Sequence, residues 1–152
     1  MTQAFFHGPG QGRTFSVGVD RATAKVEAAD TGDAFSLIEY VAAPNVPGPP
    51  LHIHRVVSET FVVLDGEVEF RAGNDRRKLT GGSTAFIPPG IPHTFAVAGT
   101  EPARWMGIFS PGRYIGLVEG IGNAFPSDGG PPDEAKIGEV FAAYDTEVVP
   151  EG

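Results

Sequence analysis

The stretch GPPLHIHRVVSETFVVLDG, which runs from Gly48 to Gly66, carries the pattern that decides the fold. It contains two of the chain's four histidines, His52 and His54, one residue apart, and Glu59 follows His54 by five residues. Side chains two positions apart on a β-strand lie on the same face, so an extended segment here points both imidazoles the same way. The sequence therefore predicts two histidines side by side on one face of a strand.

Glu59 opens the next extended segment and shares one of its faces with Phe61 and Val63. If that face is the buried one, we expect an antiparallel neighbour to bring the carboxylate beside His52 and His54. Two imidazoles and a carboxylate are costly to leave unpaired in an apolar interior, and a divalent cation removes that cost because all three groups can be ligands. The alternative is a buried polar cluster without a metal ion.

A third histidine, His93, stands near the end of GGSTAFIPPGIPHTF, residues 81–95. The run PPG at residues 88–90 is a turn signal just before it. His93 and Phe95 share one face of the incoming strand, so an inward His93 brings Phe95 inward as well. The sequence thus offers a third imidazole to the same interior.

The rest of the first two thirds alternates short apolar segments with turn residues. Many short strands at close spacing are typical of an antiparallel sandwich or barrel. The dipeptide Asp65-Gly66 within VVLDGEVEF predicts a tight hairpin turn between two of these strands. The candidate strands are Arg13 to Val19, Thr23 to Ala28, Phe35 to Val41, Leu51 to His54, Thr60 to Leu64, Val68 to Ala72, Ser83 to Ile87, His93 to Ala98 and Ala103 to Phe109.

After Pro111 the pattern changes from strands to helices. A first short helix is predicted from apolar residues at helical spacing, and a second after the prolines at 131 and 132. Asp133 and Glu134 suit the positive N-terminus of that second helix. The apolar faces are Tyr114, Ile115, Val118 and Ile121 in the first helix and Ile137, Val140, Phe141 and Tyr144 in the second.

Composition narrows the possible partners and the compartment. The 152 residues carry 11 Lys and Arg against 19 Asp and Glu, a formal charge of −8, and no cysteine. An acidic surface repels phosphate backbones and offers no basic face to an anionic membrane, so we expect neither nucleic acid nor a membrane as a partner. Without cysteine there are no disulfides, thiolate ligands or cysteine nucleophile. The N-terminal residues lack the pattern of a signal peptide, and we expect a cytoplasmic protein.

The aromatic side chains are expected mainly in the core rather than as a substrate wall, and His7 is expected on the surface. The aromatics concerned are Phe35, Tyr40, Phe61, Phe86, Phe95, Trp105 and Phe109.

Two ordered motifs resemble those of the cupins. Gly48, His52, His54, Glu59 and Gly66 resemble the first cupin motif, and Gly82, Pro88, Gly90 and His93 resemble the second. The first glycine lies closer to the His-x-His than is usual, and Val97 replaces the asparagine that often closes the second motif. Neither departure removes a metal ligand.

The resemblance implies an all-β fold, an antiparallel cupin barrel (a double-stranded β-helix or jelly roll) with one or two short C-terminal helices. It implies a single cupin domain over residues 1–152, with the barrel at about 13–110 and a helical segment at about 111–152. It also implies a homodimer.

By the same resemblance, His52, His54, Glu59 and His93 hold one divalent transition metal ion, which is Fe, Mn, Ni, Co, Cu or Zn. Structural metal sites usually favour thiolates, so an open, reactive site is favoured over a purely structural one. The small single-domain cupins similar to quercetin 2,3-dioxygenase imply a dioxygenase that takes a flavonol-like small molecule and O2, with Glu59 also as the catalytic proton acceptor. Two alternatives stay open: an isomerase or cyclase that uses the metal as a Lewis acid, and a small-molecule binding protein without activity.

Overall fold

A computed structural model describes residues 3–151, so Met1, Thr2 and Gly152, at the ends of the predicted domain, lie outside the described residues. Within residues 3–151 the chain forms eleven strands and two α-helices. The strands are β1 (Arg13–Val17), β2 (Asp20–Val26), β3 (Ser36–Ala42), β4 (His52–His54), β5 (Ser58–Asp65), β6 (Glu67–Ala72), β7 (Asp75–Leu79), β8 (Thr84–Ile87), β9 (His93–Ala98), β10 (Ala103–Ser110) and β11 (Thr146–Val148). The helices, α1 (Ile115–Asn123) and α2 (Glu134–Ala143), stand between β10 and β11.

The strands form two antiparallel sheets whose inner faces enclose the core. One sheet has the order β1-β2-β3-β10-β5-β8, and the other has the order β11-β4-β9-β6-β7. On the central strands alternating residues point inward, as the burial pattern of β5 shows with Glu59, Phe61 and Val63 buried. The predicted antiparallel barrel with two short C-terminal helices is confirmed.

Aromatic rings fill the barrel interior beyond the predicted histidine site. We call Phe61, Phe70, Phe95 and Trp105 the aromatic cluster, whose ring centroids lie 4.9 to 6.4 Å apart. Tyr40 stacks on Trp105 with the ring centroids 4.9 Å apart. Offset and edge-to-face pairs at such distances add to the burial of apolar area, so this cluster is a main source of stability.

The hairpin predicted at Asp65-Gly66 is wrong. β5 and β6 lie in different sheets, so the chain crosses from one sheet to the other at Gly66 instead of folding back on itself. A Cβ on Gly66 would lie 2.6 Å from the carbonyl oxygen of Pro102, and the φ of Gly66 is +80°. Glycine is needed there for a close backbone crossing, because any other side chain would clash and strain the backbone.

Two strands, β7 and β11, were not predicted from the sequence. Asp75 to Lys78 in β7 are all exposed, so the segment lacks the apolar alternation that marks a strand. β11 follows α2 and pairs with β4 through residues far away in the sequence. A local pattern therefore could not indicate either strand.

The two predicted C-terminal helices are confirmed. The Asp133 carboxylate caps α2 by accepting hydrogen bonds from the backbone N–H groups of Ala135 and Lys136 at 3.0 and 3.2 Å. Such a cap satisfies amides that the first helical turn leaves unpaired. Phe141 is the buried residue of α2. Within residues 3–151, no helix has the length and apolar character needed to cross a membrane.

The expectation that the aromatics lie in the core holds for five of the seven and is wrong for two. Phe35 is 40% exposed and Phe86 is 63% exposed. Phe86 pairs with Thr60 on the outer face of its sheet, whereas its neighbour Ile87 points inward. Alternation on β8 thus places Ile87, not Phe86, in the core. His7 is exposed, as predicted.

Candidate metal centre

The four predicted site residues come together from three strands in two sheets. His52 and His54 lie on β4, and His93 pairs with His52 across the contact between β4 and β9. Glu59 lies on β5 in the facing sheet. The expectation that a neighbouring strand brings Glu59 beside the histidines is wrong, because the carboxylate reaches them across the barrel interior. The site is therefore enclosed between the two sheets.

The donor atoms of these residues converge on one point. One atom from each of His52, His54, Glu59 and His93 lies within 4.8 Å of all the others. Oε2 of Glu59 is 3.2 Å from Nε2 of His54 and 3.0 Å from Nε2 of His93. All four residues are buried, with between 1 and 8% of their surface exposed. One ion could contact all four side chains.

Two of the imidazoles are oriented by backbone carbonyl groups. Nδ1 of His52 lies 2.8 Å from the carbonyl oxygen of Pro50, and Nδ1 of His93 lies 2.9 Å from that of Ile91. A carbonyl oxygen can only accept a hydrogen bond, so in both rings Nδ1 carries the proton and donates it. In the neutral form of each ring, Nε2 keeps a free lone pair and can bind a cation.

The third imidazole is oriented by a side chain. Nδ1 of His54 lies 2.8 Å from Oγ1 of Thr146, and that hydroxyl lies 2.9 Å from the carbonyl oxygen of Tyr144. Because the Tyr144 carbonyl only accepts, the Thr146 hydroxyl donates to it and accepts from Nδ1–H of His54. All three imidazoles therefore present Nε2 to the centre.

Electrostatics favour the ligand forms of His52 and Glu59 at neutral pH. Burial, together with the neighbouring imidazoles of His93 and His54, lowers the pKa of His52 to about 4, so this ring is neutral at pH 7. Burial raises the pKa of the Glu59 carboxyl, but the contacts with His54 and His93 outweigh it and hold the pKa well below its usual range. Glu59 is thus an anion among imidazoles.

Apolar side chains surround the polar centre. The ring of Phe141 on α2 lies 6.3 Å from that of His52, centroid to centroid. Phe109 on β10 stands opposite Glu59 in the strand register and is 3% exposed. Buried apolar side chains beside charged groups lower the local dielectric constant, so charge interactions within the centre are stronger than in water.

Comparison with known proteins relates this part of the chain to a known family. Residues 39–109 match the family described as the cupin domain, and this range contains all four residues of the centre. These residues are similar to the cupin domain. The resemblance stated from the two motifs is confirmed, including the likeness to quercetinase-like cupins.

One curated relative of this chain is quercetin 2,3-dioxygenase of Bacillus subtilis (strain 168). The two are 29% identical over 123 residues, which make up 81% of this chain and 36% of the relative. The match thus spans about a third of the length of that dioxygenase.

Solved structures show the same fold. A protein from Klebsiella pneumoniae with a double-stranded β-helix domain superimposes with a TM-score of 0.53 at 26% identity, over 64% of this chain and 81% of that one. The polyketide cyclase RemF from Streptomyces resistomycificus superimposes with a TM-score of 0.53 at 24% identity, over 60% of this chain and 64% of that one. These likenesses establish the double-stranded β-helix as the fold of the barrel.

The donor set of the centre fits a divalent transition metal. A neutral imidazole has one N–H, and His54 and His93 both use it at Nδ1. Their Nε2 lone pairs then face Oε2 of Glu59, which is repulsive unless positive charge lies between the atoms. That charge is either the Nε2 protons whose hydrogen bonds lower the pKa of Glu59 or a metal ion in their place. A cation at the centre turns this repulsion into attraction, and three imidazole nitrogens with one carboxylate suit such ions.

Thr146 is a residue of the centre that the sequence did not indicate. It is buried on β11, opposite His54 in the strand register. In the sequence it stands 92 residues from His54, inside the tail that follows α2. Nothing in its local pattern distinguishes it from an ordinary strand threonine.

Proposed function

We propose that this chain is a metal-dependent cupin enzyme and, more specifically, a quercetinase-like dioxygenase that acts on a flavonol-like or other enol or phenol. The observation that carries the proposal is the convergence of four buried donor groups whose imidazoles all present Nε2 to one point. The 29% identity to a quercetin 2,3-dioxygenase supports the choice of oxygen chemistry.

The proposed ligands are His52, His54, Glu59 and His93, which would hold one ion of Fe, Mn, Ni, Co, Cu or Zn. Three nitrogens and one carboxylate leave positions open on an ion that takes six ligands, which distinguishes the site from a closed structural one. When bound, such an ion acts as a Lewis acid that lowers the pKa of a substrate hydroxyl beside it.

Glu59 is the proposed proton acceptor. Its Oε2 contacts His54 and His93, whereas its Oε1 makes no hydrogen bond to any residue that the structure describes. Oε1 is therefore the oxygen that remains for a substrate proton. The lowered pKa keeps the carboxylate ionised and also makes it a weak base, so the transfer requires a substrate hydroxyl that is already acidic.

The apolar surroundings support an aromatic substrate. Phe109 lies next to Glu59 in the register and Phe141 lies beside His52, so a planar ring could pack against them. The same side chains exclude water, which protects an enolate from protonation by solvent.

The proposal is tested with protein expressed in media that each contain one of the six metals. Elemental analysis gives the metal content, and an oxygen electrode with quercetin as the substrate gives turnover. We expect oxygen uptake that matches the loss of flavonol absorbance. Metal-loaded protein that neither consumes oxygen nor transforms quercetin or any related enol would contradict the proposal.

Variants test whether metal binding and turnover depend on the residues of the centre. We expect His54→Ala to lose its metal and its turnover, and Glu59→Gln to lose turnover. Glu69→Gln is the matched control, because Glu69 is an exposed residue on the outer face of β6. Turnover that continues without oxygen would instead favour an isomerase or cyclase. Stabilisation by the ligand without any product would favour a binding protein.

A further inference from the structure

The segment that follows α2 supports the strand that carries two of the proposed ligands. We call residues 144–149 the C-terminal segment. Its strand β11 pairs with β4 at three positions, whereas β9, on the other side of β4, pairs with it only through His52 and His93. Two further backbone hydrogen bonds extend the contact, from the N–H of Val149 to the carbonyl of Leu51 and from the N–H of Arg55 to that of Asp145. Most of the ladder that holds β4 therefore comes from the C-terminal segment.

Side-chain contacts on either side of Thr146 join the C-terminal segment to the rest of the chain. The Tyr114 hydroxyl donates to the Asp145 carboxylate at 2.6 Å. The Arg55 guanidinium pairs with the Glu147 carboxylate at the exposed rim, where an ion pair contributes little to stability. Between these two contacts Thr146 points inward, is 6% exposed and accepts a hydrogen bond from Nδ1–H of His54.

His54 differs from the other two histidines in what orients it. His52 and His93 donate to carbonyl oxygens two residues earlier in the sequence, so the same short segment supplies both the ring and its acceptor. His54 depends on a hydroxyl 92 residues away. The partner of a metal-binding histidine fixes which nitrogen is free, and losing such a partner typically reduces metal affinity about 10–100-fold.

We infer that Thr146 is a positioning residue for the metal centre, and that metal binding and docking of the C-terminal segment stabilise each other. The inference rests on the proposed metal site and adds a component outside the matched residues 39–109. Coupling of this kind is reciprocal, so a segment that strengthens metal binding must itself be held more firmly once the metal is bound.

The first test compares Co²⁺ affinity among variants, measured by competition with a chelator. Thr146→Val keeps the shape of the side chain but leaves Nδ1–H of His54 without an acceptor, and we expect its affinity to fall about 10–100-fold. Thr146→Ser restores the hydroxyl and should stay within about threefold of the wild type. Glu147→Gln is the matched control on the same strand, and it should also bind Co²⁺ within about threefold because it alters only the rim pair.

The visible spectrum of bound Co²⁺ separates positioning from general loosening of the fold. A His54 ring that has turned changes the ligand field, so the spectrum of Thr146→Val should shift, whereas those of Thr146→Ser and Glu147→Gln should not. The second test uses the wild type alone and follows amide hydrogen exchange with and without Co²⁺. We expect the ion to slow exchange at Arg55 and Val149, the amides that join β4 to the C-terminal segment.

The outcomes distinguish the inference from the function on which it rests. Wild-type protein that binds no metal ion overturns both. Wild-type protein that binds Co²⁺, with Thr146→Val unchanged in affinity and spectrum, overturns the inference alone. Exchange in the C-terminal segment that does not respond to Co²⁺ overturns the coupling.

Discussion

The polar and the aromatic parts of the barrel interior are built by the same strands. On β5 the buried Glu59 is followed on the same face by Phe61, and on β9 the buried His93 is followed by Phe95. Two residues further along each strand, the interior thus changes from imidazoles and a carboxylate to the aromatic cluster. The backbone geometry is shared, so the difference lies in the side chains alone.

The two parts have opposite effects on stability. Each buried ring of the aromatic cluster removes apolar area from water, which is favourable. The histidines and Glu59 lose hydration when they are buried, which is unfavourable unless they are paired. The aromatic part therefore stabilises the barrel. In the polar part, a bound cation would replace the favourable interactions with water that the histidines and Glu59 lose on burial.

The largest expected effect is on the aromatic part. Phe61→Ala removes a ring that is 4% exposed and contacts Phe70, Phe95 and Trp105. We expect the free energy of unfolding in urea to fall by about 3–5 kcal/mol. Co²⁺ affinity of the folded variant should stay within about threefold of the wild type. If Phe61→Ala kept its stability but lost its metal, the aromatic part would serve metal binding and not stability, which would contradict this account.

The polar part should make the metal-free protein sensitive to acid. The folded-state pKa of His52 is about 4, below its usual 6.5, so at pH between these values the unfolded chain binds a proton that the folded protein does not. The contribution of the neutral His52 ring to the free energy of unfolding is complete above pH 6.5 and is lost as the pH falls to about 4. Its size is about 3 kcal/mol.

Urea unfolding between pH 7 and pH 4 checks this expectation. The loss of stability on acidification should be smaller in His52→Gln than in the wild type, because glutamine does not titrate. Phe61→Ala serves as the control, since it should lower stability by the same amount at every pH. Equal pH slopes in the wild type and His52→Gln would show that His52 does not carry the effect.

The smallest expected effect is at an aromatic residue outside the barrel. Phe86 is 63% exposed on β8, and Phe86→Thr keeps a residue type that favours strands. We expect the free energy of unfolding to change by less than about 1 kcal/mol. A loss as large as that of Phe61→Ala would mean that the outer face is covered in solution.

The sequence was sufficient for the features that follow from short-range patterns. Alternation brought His52 and His54 to one face and placed Phe61 and Val63 inward with Glu59. Spacing of apolar residues and the acidic start indicated α1 and α2. These features depend on the geometry of a single element, which the local sequence specifies.

Features that depend on pairing across the chain could not be predicted. Asp65-Gly66 looks like a hairpin turn, yet β5 pairs with β10 and β8 while β6 pairs with β9 and β7. Glu59 was expected on a strand beside β4 and instead lies in the facing sheet. Thr146 matters only because β11 pairs with β4. In each case the deciding contact joins segments far apart in the sequence.

The central claim is that four side chains from three strands share one metal ion, and diffraction from crystals of the Co²⁺-loaded chain at the cobalt edge tests it most directly. We predict one anomalous peak between the sheets, about 2.1 Å from Nε2 of His52, His54 and His93 and from a carboxylate oxygen of Glu59. A peak elsewhere on the chain, or imidazoles that point away from one another around an empty centre, would contradict the claim.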